Sequence, residues 1–133
     1  MKSDERHPSS LAKSERLSGR KNIDKLFNDS GSRSFSAFPL RIVYMREERK
    51  EGEPSAQMMV SVPKRLLRHA VKRNRVKRQV REAYRHNKHI VCRDNVEEKV
   101  VMAFIYLDRK LNDSGKVTAS VKRLMERVNE CLA

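Results

Sequence analysis

The sequence contains no tryptophan, and its 133 residues include only four Phe and three Tyr. So few rings leave room for one small core, and the length suits a single domain that holds without disulfide or metal staples. There are two cysteines, Cys92 and Cys131, far apart and in no Cys-x-x-Cys pair. That spacing predicts two reduced thiols in a cytosolic protein rather than a disulfide framework. No apolar run approaches the roughly 20 residues that cross a bilayer. The opening residues, Met1 to Pro8, lack the apolar stretch of a signal peptide, so secretion is not expected and a cytoplasmic location is. Acidic residues are scarce as well: 17 Asp and Glu face 31 Lys and Arg, for a formal charge of +14 and a pI near 10.3. This excess points to a polyanionic partner, nucleic acid first and an anionic membrane surface second.

The charge is concentrated. Between Lys64 and Lys88 eleven Lys and Arg stand against one acid, Glu82, a formal +10 in 25 residues. Packing that many cations together is self-repulsive unless counterions or phosphates offset it.

Around this segment the chain reads as one α+β domain over residues 17–133, preceded by a flexible polar and basic arm over 1–16. A first helix is expected from the N-cap Ser18 to a stop before Gly31, with Ile23, Leu26 and Phe27 on one apolar face. Residues 35–46 read as extended, Leu40, Ile42 and Tyr44 alternating with Arg41, Val43 and Met45. Pro39 has no N–H and belongs at an edge, a bulge or a break between short strands. The charged turn 47–54, with Gly52 and Pro54, predicts antiparallel strands on either side, the second over 56–62. A linker over 64–70 leads into a long helix over 70–88. Residues 99–107 are apolar without alternation, as in an interior strand covered on both faces. A last helix, with turn and cap chemistry at Asn112 to Gly115, runs to about Leu132.

On a helical wheel Val76, Val80, Ala83 and Tyr84 share an arc of about 100°. Asn74, Lys77, Arg78, Arg81, Arg85 and Lys88 share an arc of similar width on the other side, and none of these six is acidic. Arg73 lies at the apolar edge, placed to pack its stem and extend its head. A merely solvated face usually mixes signs at i, i+4, which this one does not. Arg outnumbers Lys on the helix five to three, and its planar fork bonds phosphate bidentately and stacks on bases. Val, Val and Ala opposite the charge suit packing on a sheet better than insertion into lipid.

The stretch Ser61-Val62-Pro63-Lys64-Arg65, followed by Ala70-Val71-Lys72-Arg73-Asn74-Arg75-Val76-Lys77-Arg78-Gln79-Val80-Arg81-Glu82, resembles the signature of the bacterial ribonuclease P protein component. Arg20-Lys21-Asn22-Ile23-Asp24-Lys25-Leu26-Phe27 is similar to that family's opening helix, and the likeness covers residues 16–130. It implies a two-layer α/β sandwich with a four-stranded sheet and a left-handed βαβ crossover, like the second domain of a ribosomal protein. It also implies that a catalytic RNA, with Mg²⁺ bound mainly by that RNA, removes the 5′ leader of precursor tRNA by endonucleolytic cleavage. The protein is then a cytoplasmic monomer, one per RNA, with no cofactor of its own. Carried over by position, the RNA-binding residues are Lys64, Arg65, Arg73, Asn74, Arg75, Lys77, Arg78, Arg81, Arg85 and Lys88. The precursor-tRNA leader cleft takes Ile23 and Phe27, and Tyr44 is added as a ring able to stack on a nucleotide. Three positions depart from the family pattern: Ile23 stands for Phe, Pro63 for Ser and Arg68 for Gly.

No catalytic or metal-binding residues are expected in the protein. Phosphodiester hydrolysis needs clustered carboxylates or a His pair, whereas Glu47-Glu48 and Glu97-Glu98 fall in loops. His69, His86 and His89 flank the basic helix, where phosphate contact or plain exposure is expected. Phe27 has an ordinary alternative as a core residue beside Ile23 and Leu26. From the residues alone, a general RNA- or DNA-binding protein sharing the basic helix stays open beside the ribonuclease P subunit. A helix-turn-helix reader fits less well, since it needs base-edge side chains among its cations.

Overall fold

Residues 99–107 are the longest apolar run after the basic segment, and they lie at the centre of the sheet. The computed structural model describes residues 26–27, 31–91 and 97–132. The expected arm over 1–16, the N-cap Ser18, Ile23 and Cys92 lie outside the described residues. Strand β1 (Arg33–Ala37) and strand β2 (Leu40–Glu48) flank Phe38-Pro39 and pair antiparallel, with Ala37 opposite Leu40. Pro39 thus breaks the 35–46 segment into two strands, as a residue without an N–H should.

The charged turn then leads to β3 (Ala56–Ser61). Gly52 in this turn has a φ of +85°, the left-handed region that side chains with a Cβ resist. β2 and β3 run in opposite directions but are not neighbours. Strand β4 (Glu98–Tyr106) lies between them, antiparallel to β2 and parallel to β3, for an order β1-β2-β4-β3. The reason is burial: Lys99 to Ala103 and Phe104 are all buried, and only an interior strand offers cover on both faces.

Two helices cover one face. Helix α1 (Ala70–Asn87) connects β3 to β4, and helix α2 (Ser114–Leu132) follows β4. They bury Val76, Val80, Ala83 and Tyr84 from α1 and Val117, Val121, Leu124, Met125 and Val128 from α2 against Leu40, Ile42, Tyr44, Met102, Phe104 and Tyr106. Tyr84 meets Phe104 edge to face, with ring centroids 6.5 Å apart. Gln79 joins the buried face, its Nε2 donating to the Asn112 carbonyl at 3.2 Å and to Ser114 Oγ at 3.1 Å. It ties α1 to the start of α2. On the opposite sheet face Val43, Met45, Val101 and Ala103 pack with Leu26. The fold is the expected α+β class: a four-stranded sheet with two helices on one side.

Candidate nucleic-acid interface

The linker between β3 and α1 sets where the basic helix starts. The Pro63 carbonyl accepts from the N–H groups of Leu66 and Leu67, at 3.1 and 3.2 Å, closing a turn that buries Leu67 and leaves Lys64, Arg65 and Arg68 exposed. α1 then begins at Ala70 without a side-chain N-cap bond and with no acid in its first turn. Its positive N-terminal end is left uncompensated by any carboxylate there, and the basic side chains add to that field.

The expected site residues divide into groups. Asn74, Arg75 and Arg78 are exposed on α1, while Lys77, Arg81 and Lys88 are partly covered. Asn74, Arg75 and Arg78, with Lys64, Arg65 and Arg68, make the exposed, mainly cationic surface, and Lys77 and Arg81 border it. Arg73 is different. Instead of extending outward, its Nη1 donates to the carbonyls of Leu67 at 2.9 Å and Arg68 at 2.8 Å. The apolar-edge position turns the guanidinium back onto the linker, where the carbonyls of the two residues before the N-cap His69 receive it.

Arg85 differs as well. Glu82, which the wheel places outside the six-residue face, reaches it: Arg85 Nη2 pairs with Glu82 Oε1, and His86 Nε2 lies 3.3 Å from the same oxygen. The Arg85 bond holds the Glu82 carboxyl below its ordinary value despite some burial. The C-terminal end of the face is therefore partly neutralised. The open charge sits on the linker and the first two-thirds of α1.

Of the leader-cleft residues, Phe27 and Tyr44 are not brought together. Leu26 is fully buried against the sheet face that the two helices leave free, and Phe27 beside it is 43% exposed. Leu26 fills the core role, which leaves the Phe27 ring available. Tyr44 lies on the other face, under the helices, stacked on Phe35 with centroids 5.8 Å apart. Period-two alternation accounts for this, since Val43 and Met45, not Tyr44, point toward Leu26. Among the described residues the buried Tyr44 hydroxyl has no hydrogen-bond partner at ordinary geometry, and burial, reinforced by the nearby Cys131 thiol, pushes it up to about 12. It borders a cavity of about 510 Å³ lined also by Arg33, Arg46 and Cys131.

Among the described residues, no group of three or more His, Cys, Asp or Glu is placed to hold a metal ion. Several of the acids serve structural bonds. Glu53 Oε2 accepts from Lys99 Nζ at 2.7 Å, and Asp108 Oδ2 accepts from Asn112 Nδ2 at 3.0 Å. Among the described residues no helix is long and apolar enough to cross a membrane. Residue reading did not single out Phe38, 59% exposed, with the Lys116 ammonium 5.3 Å from its ring centre. A Phe-Pro pair at a strand break is the only sequence signal for it.

The family model Ribonuclease P matches residues 11–129. A ribonuclease P protein component from Porphyromonas gingivalis is 40% identical over 121 residues, covering 89% of this chain and 85% of its own. One from Chlorobaculum tepidum is 32% identical over 113 residues, covering 79% and 72%. Among solved structures, the RNase P protein from Thermotoga maritima aligns with a TM-score of 0.64 at 22% identity, over 85% of this chain and 96% of that one. The Staphylococcus aureus RNase P protein aligns with a TM-score of 0.63 at 14% identity, over 86% and 94%. At those identities the structural matches speak for the fold.

Proposed function

The chain belongs to the ribonuclease P protein family, and from that premise we propose that it supports tRNA 5′ maturation by binding a catalytic RNA rather than by cleaving RNA itself. As the protein component of ribonuclease P it is part of a ribonucleoprotein in tRNA processing, and its partner is the ribonuclease P RNA. The observation that carries the reading is the cationic surface of the linker and α1, with Lys64 and Arg65 exposed on the linker and Asn74, Arg75, Lys77, Arg78 and Arg81 outside the buried face of a helix whose other side is core. Arg supplies bidentate phosphate contacts and Asn74 a directional amide, so the face reads shape as well as charge.

The finer parts of the reading follow from chemistry. Three of the acids, Glu53, Asp108 and Glu82, bond to Lys99, Asn112 and Arg85. Among the described residues no group of three or more His, Cys, Asp or Glu is placed to hold a metal ion, which supports assigning the hydrolytic step and its Mg²⁺ to the RNA. The protein's cations would lower the Mg²⁺ requirement by screening phosphate repulsion. Phe27, exposed beside the sheet face opposite the helices, is the described residue best placed to meet the 5′ leader of precursor tRNA. One protein monomer per RNA, working in the cytoplasm, completes the reading.

The test is reconstitution with a bacterial ribonuclease P RNA, following precursor-tRNA cleavage across a Mg²⁺ titration. The protein alone should not cleave at any Mg²⁺ concentration. Added to the RNA, it should shift cleavage to lower Mg²⁺. Metal-dependent cleavage by the RNA-free protein, abolished by substituting an acid, would contradict the proposal.

A further inference from the structure

Phe38 is a large ring in an exposed place, at the turn between β1 and β2, 59% open to solvent. Its surroundings are not random. The Pro39 carbonyl next to it accepts from the Leu107 N–H at 2.8 Å, which brings the residues that follow β4 against the turn. Leu107 is also exposed, at 38%. Behind it, residues 108–112 are drawn inward by the Tyr106 hydroxyl, which donates to the Lys110 carbonyl at 2.5 Å and accepts from Asn112 Nδ2 at 2.6 Å. That pinning holds Asp108 on Asn112 while Arg109 and Lys110 stay exposed. Lys116, on the first turn of α2, stands over the Phe38 ring.

The patch is continuous with α1. Gln79 of α1 donates to the Asn112 carbonyl at 3.2 Å and to Ser114 Oγ at 3.1 Å, which joins α1 to the segment between β4 and α2. The sheet end therefore carries Lys116 over an open ring, with the exposed Arg109 and Lys110 on the segment that follows Leu107, against Asp108, which is held inward, and Asp113. A cation-flanked exposed aromatic suits one occupant above others: a base with its phosphates, since the ring takes the π-face and the cations take the backbone. A protein partner would require an apolar area larger than two side chains.

We propose that Phe38 is a stacking platform for an unpaired nucleotide of the ribonuclease P RNA, with Lys116, Arg109 and Lys110 on the adjoining phosphates. The RNA bound by α1 therefore continues over the end of the sheet. The source is that RNA and not the precursor leader, because Lys116 and Arg75 belong to the helices covering one sheet face and Leu26-Phe27 to the other. The inference rests on the α1 surface binding that RNA.

The chain has no tryptophan, so Phe38→Trp installs a single indole at the proposed contact, excited selectively over the three tyrosines. Adding ribonuclease P RNA should quench it, while affinity stays near that of the unsubstituted protein. Phe38→Ala should raise the dissociation constant about tenfold, within the range of one lost base stack, with thermal melting unchanged because the ring is exposed. Lys116→Ala should weaken binding and steepen with Phe38→Ala less than additively. RNA binding with no fluorescence change and an unaffected Phe38→Ala overturns the proposal while leaving the α1 reading intact. Failure of the unsubstituted protein to bind the RNA removes the underlying reading instead. Quenching that requires precursor tRNA, or that follows protein concentration without RNA, assigns the platform to another partner and overturns it as well.

Discussion

The guanidinium of Arg73 is committed to the carbonyls of Leu67 and Arg68, whereas Arg78, five residues on, is exposed and has no such bond among the described residues. Their substitution should separate stability from affinity. Arg73→Ala should lower folding stability by about 1–2 kcal/mol, the scale of hydrogen bonds from a charged donor. Arg78→Ala should leave the melting temperature in place and weaken RNA binding by about 1–3 kcal/mol. Lys50→Ala, in the mixed-sign turn, should do neither; melting curves and RNA titrations on the three variants check this. A second residue-scale outcome concerns pH. The bond from Lys99 lowers the Glu53 carboxyl below its ordinary 4.5, and Lys99 is itself buried. A depressed acid contributes stability above its unfolded value that is lost as pH falls through the folded one. Thermal stability should therefore fall below about pH 4.5 in the unsubstituted protein, and part of that slope should vanish in Glu53→Gln. At neutral pH the same variant should be about 1–2 kcal/mol less stable, since Lys99 loses its partner in a partly solvated site. The identity and register of the cations were legible in the sequence. Which of them bond to protein was not, because the Leu67 and Arg68 carbonyls are offered by a turn whose path no periodicity encodes.

At the scale of elements, periodicity carried most of the reading. The wheel of α1 placed Val76, Val80, Ala83 and Tyr84 inward correctly, and the break at Pro39 followed from a missing N–H. The neighbour order did not follow from local pattern. A charged turn between two oppositely directed strands looks like a hairpin, and only the unbroken apolar run of β4 signals that it enters between them. Alternation did separate Tyr44 from Val43 and Met45, yet which face receives which helix is a tertiary fact. The same fact sharpens Phe27, whose core and contact roles are even on sequence alone. Leu26 is fully buried and Phe27 is 43% exposed. Leu26→Ala should cost ~2–5 kcal/mol of stability, and Phe27→Ala less than about 1 kcal/mol. Phe27→Ala should instead reduce the preference of the holoenzyme for precursor over mature tRNA by ~1–3 kcal/mol. A large stability loss in Phe27→Ala with that preference unchanged would return the residue to the core.

Across the whole molecule, one face of a small sheet carries both helices, and the positive charge gathers where the linker and α1 meet. A net charge of +14 would bind any polyanion weakly. What distinguishes a site is that particular cations neutralise particular phosphates, each releasing a counterion and adding about one to the slope of log affinity against log salt. The most direct test of the account is that slope for ribonuclease P RNA, measured for the unsubstituted protein, Arg75→Ala, Arg78→Ala and the distant control Lys50→Ala. The first two substitutions should each lower the slope by about one and weaken binding at every salt concentration, and the control should follow the unsubstituted line. Identical slopes for all four proteins would mean that the RNA senses only net charge, and that the open face of α1 is not where it binds.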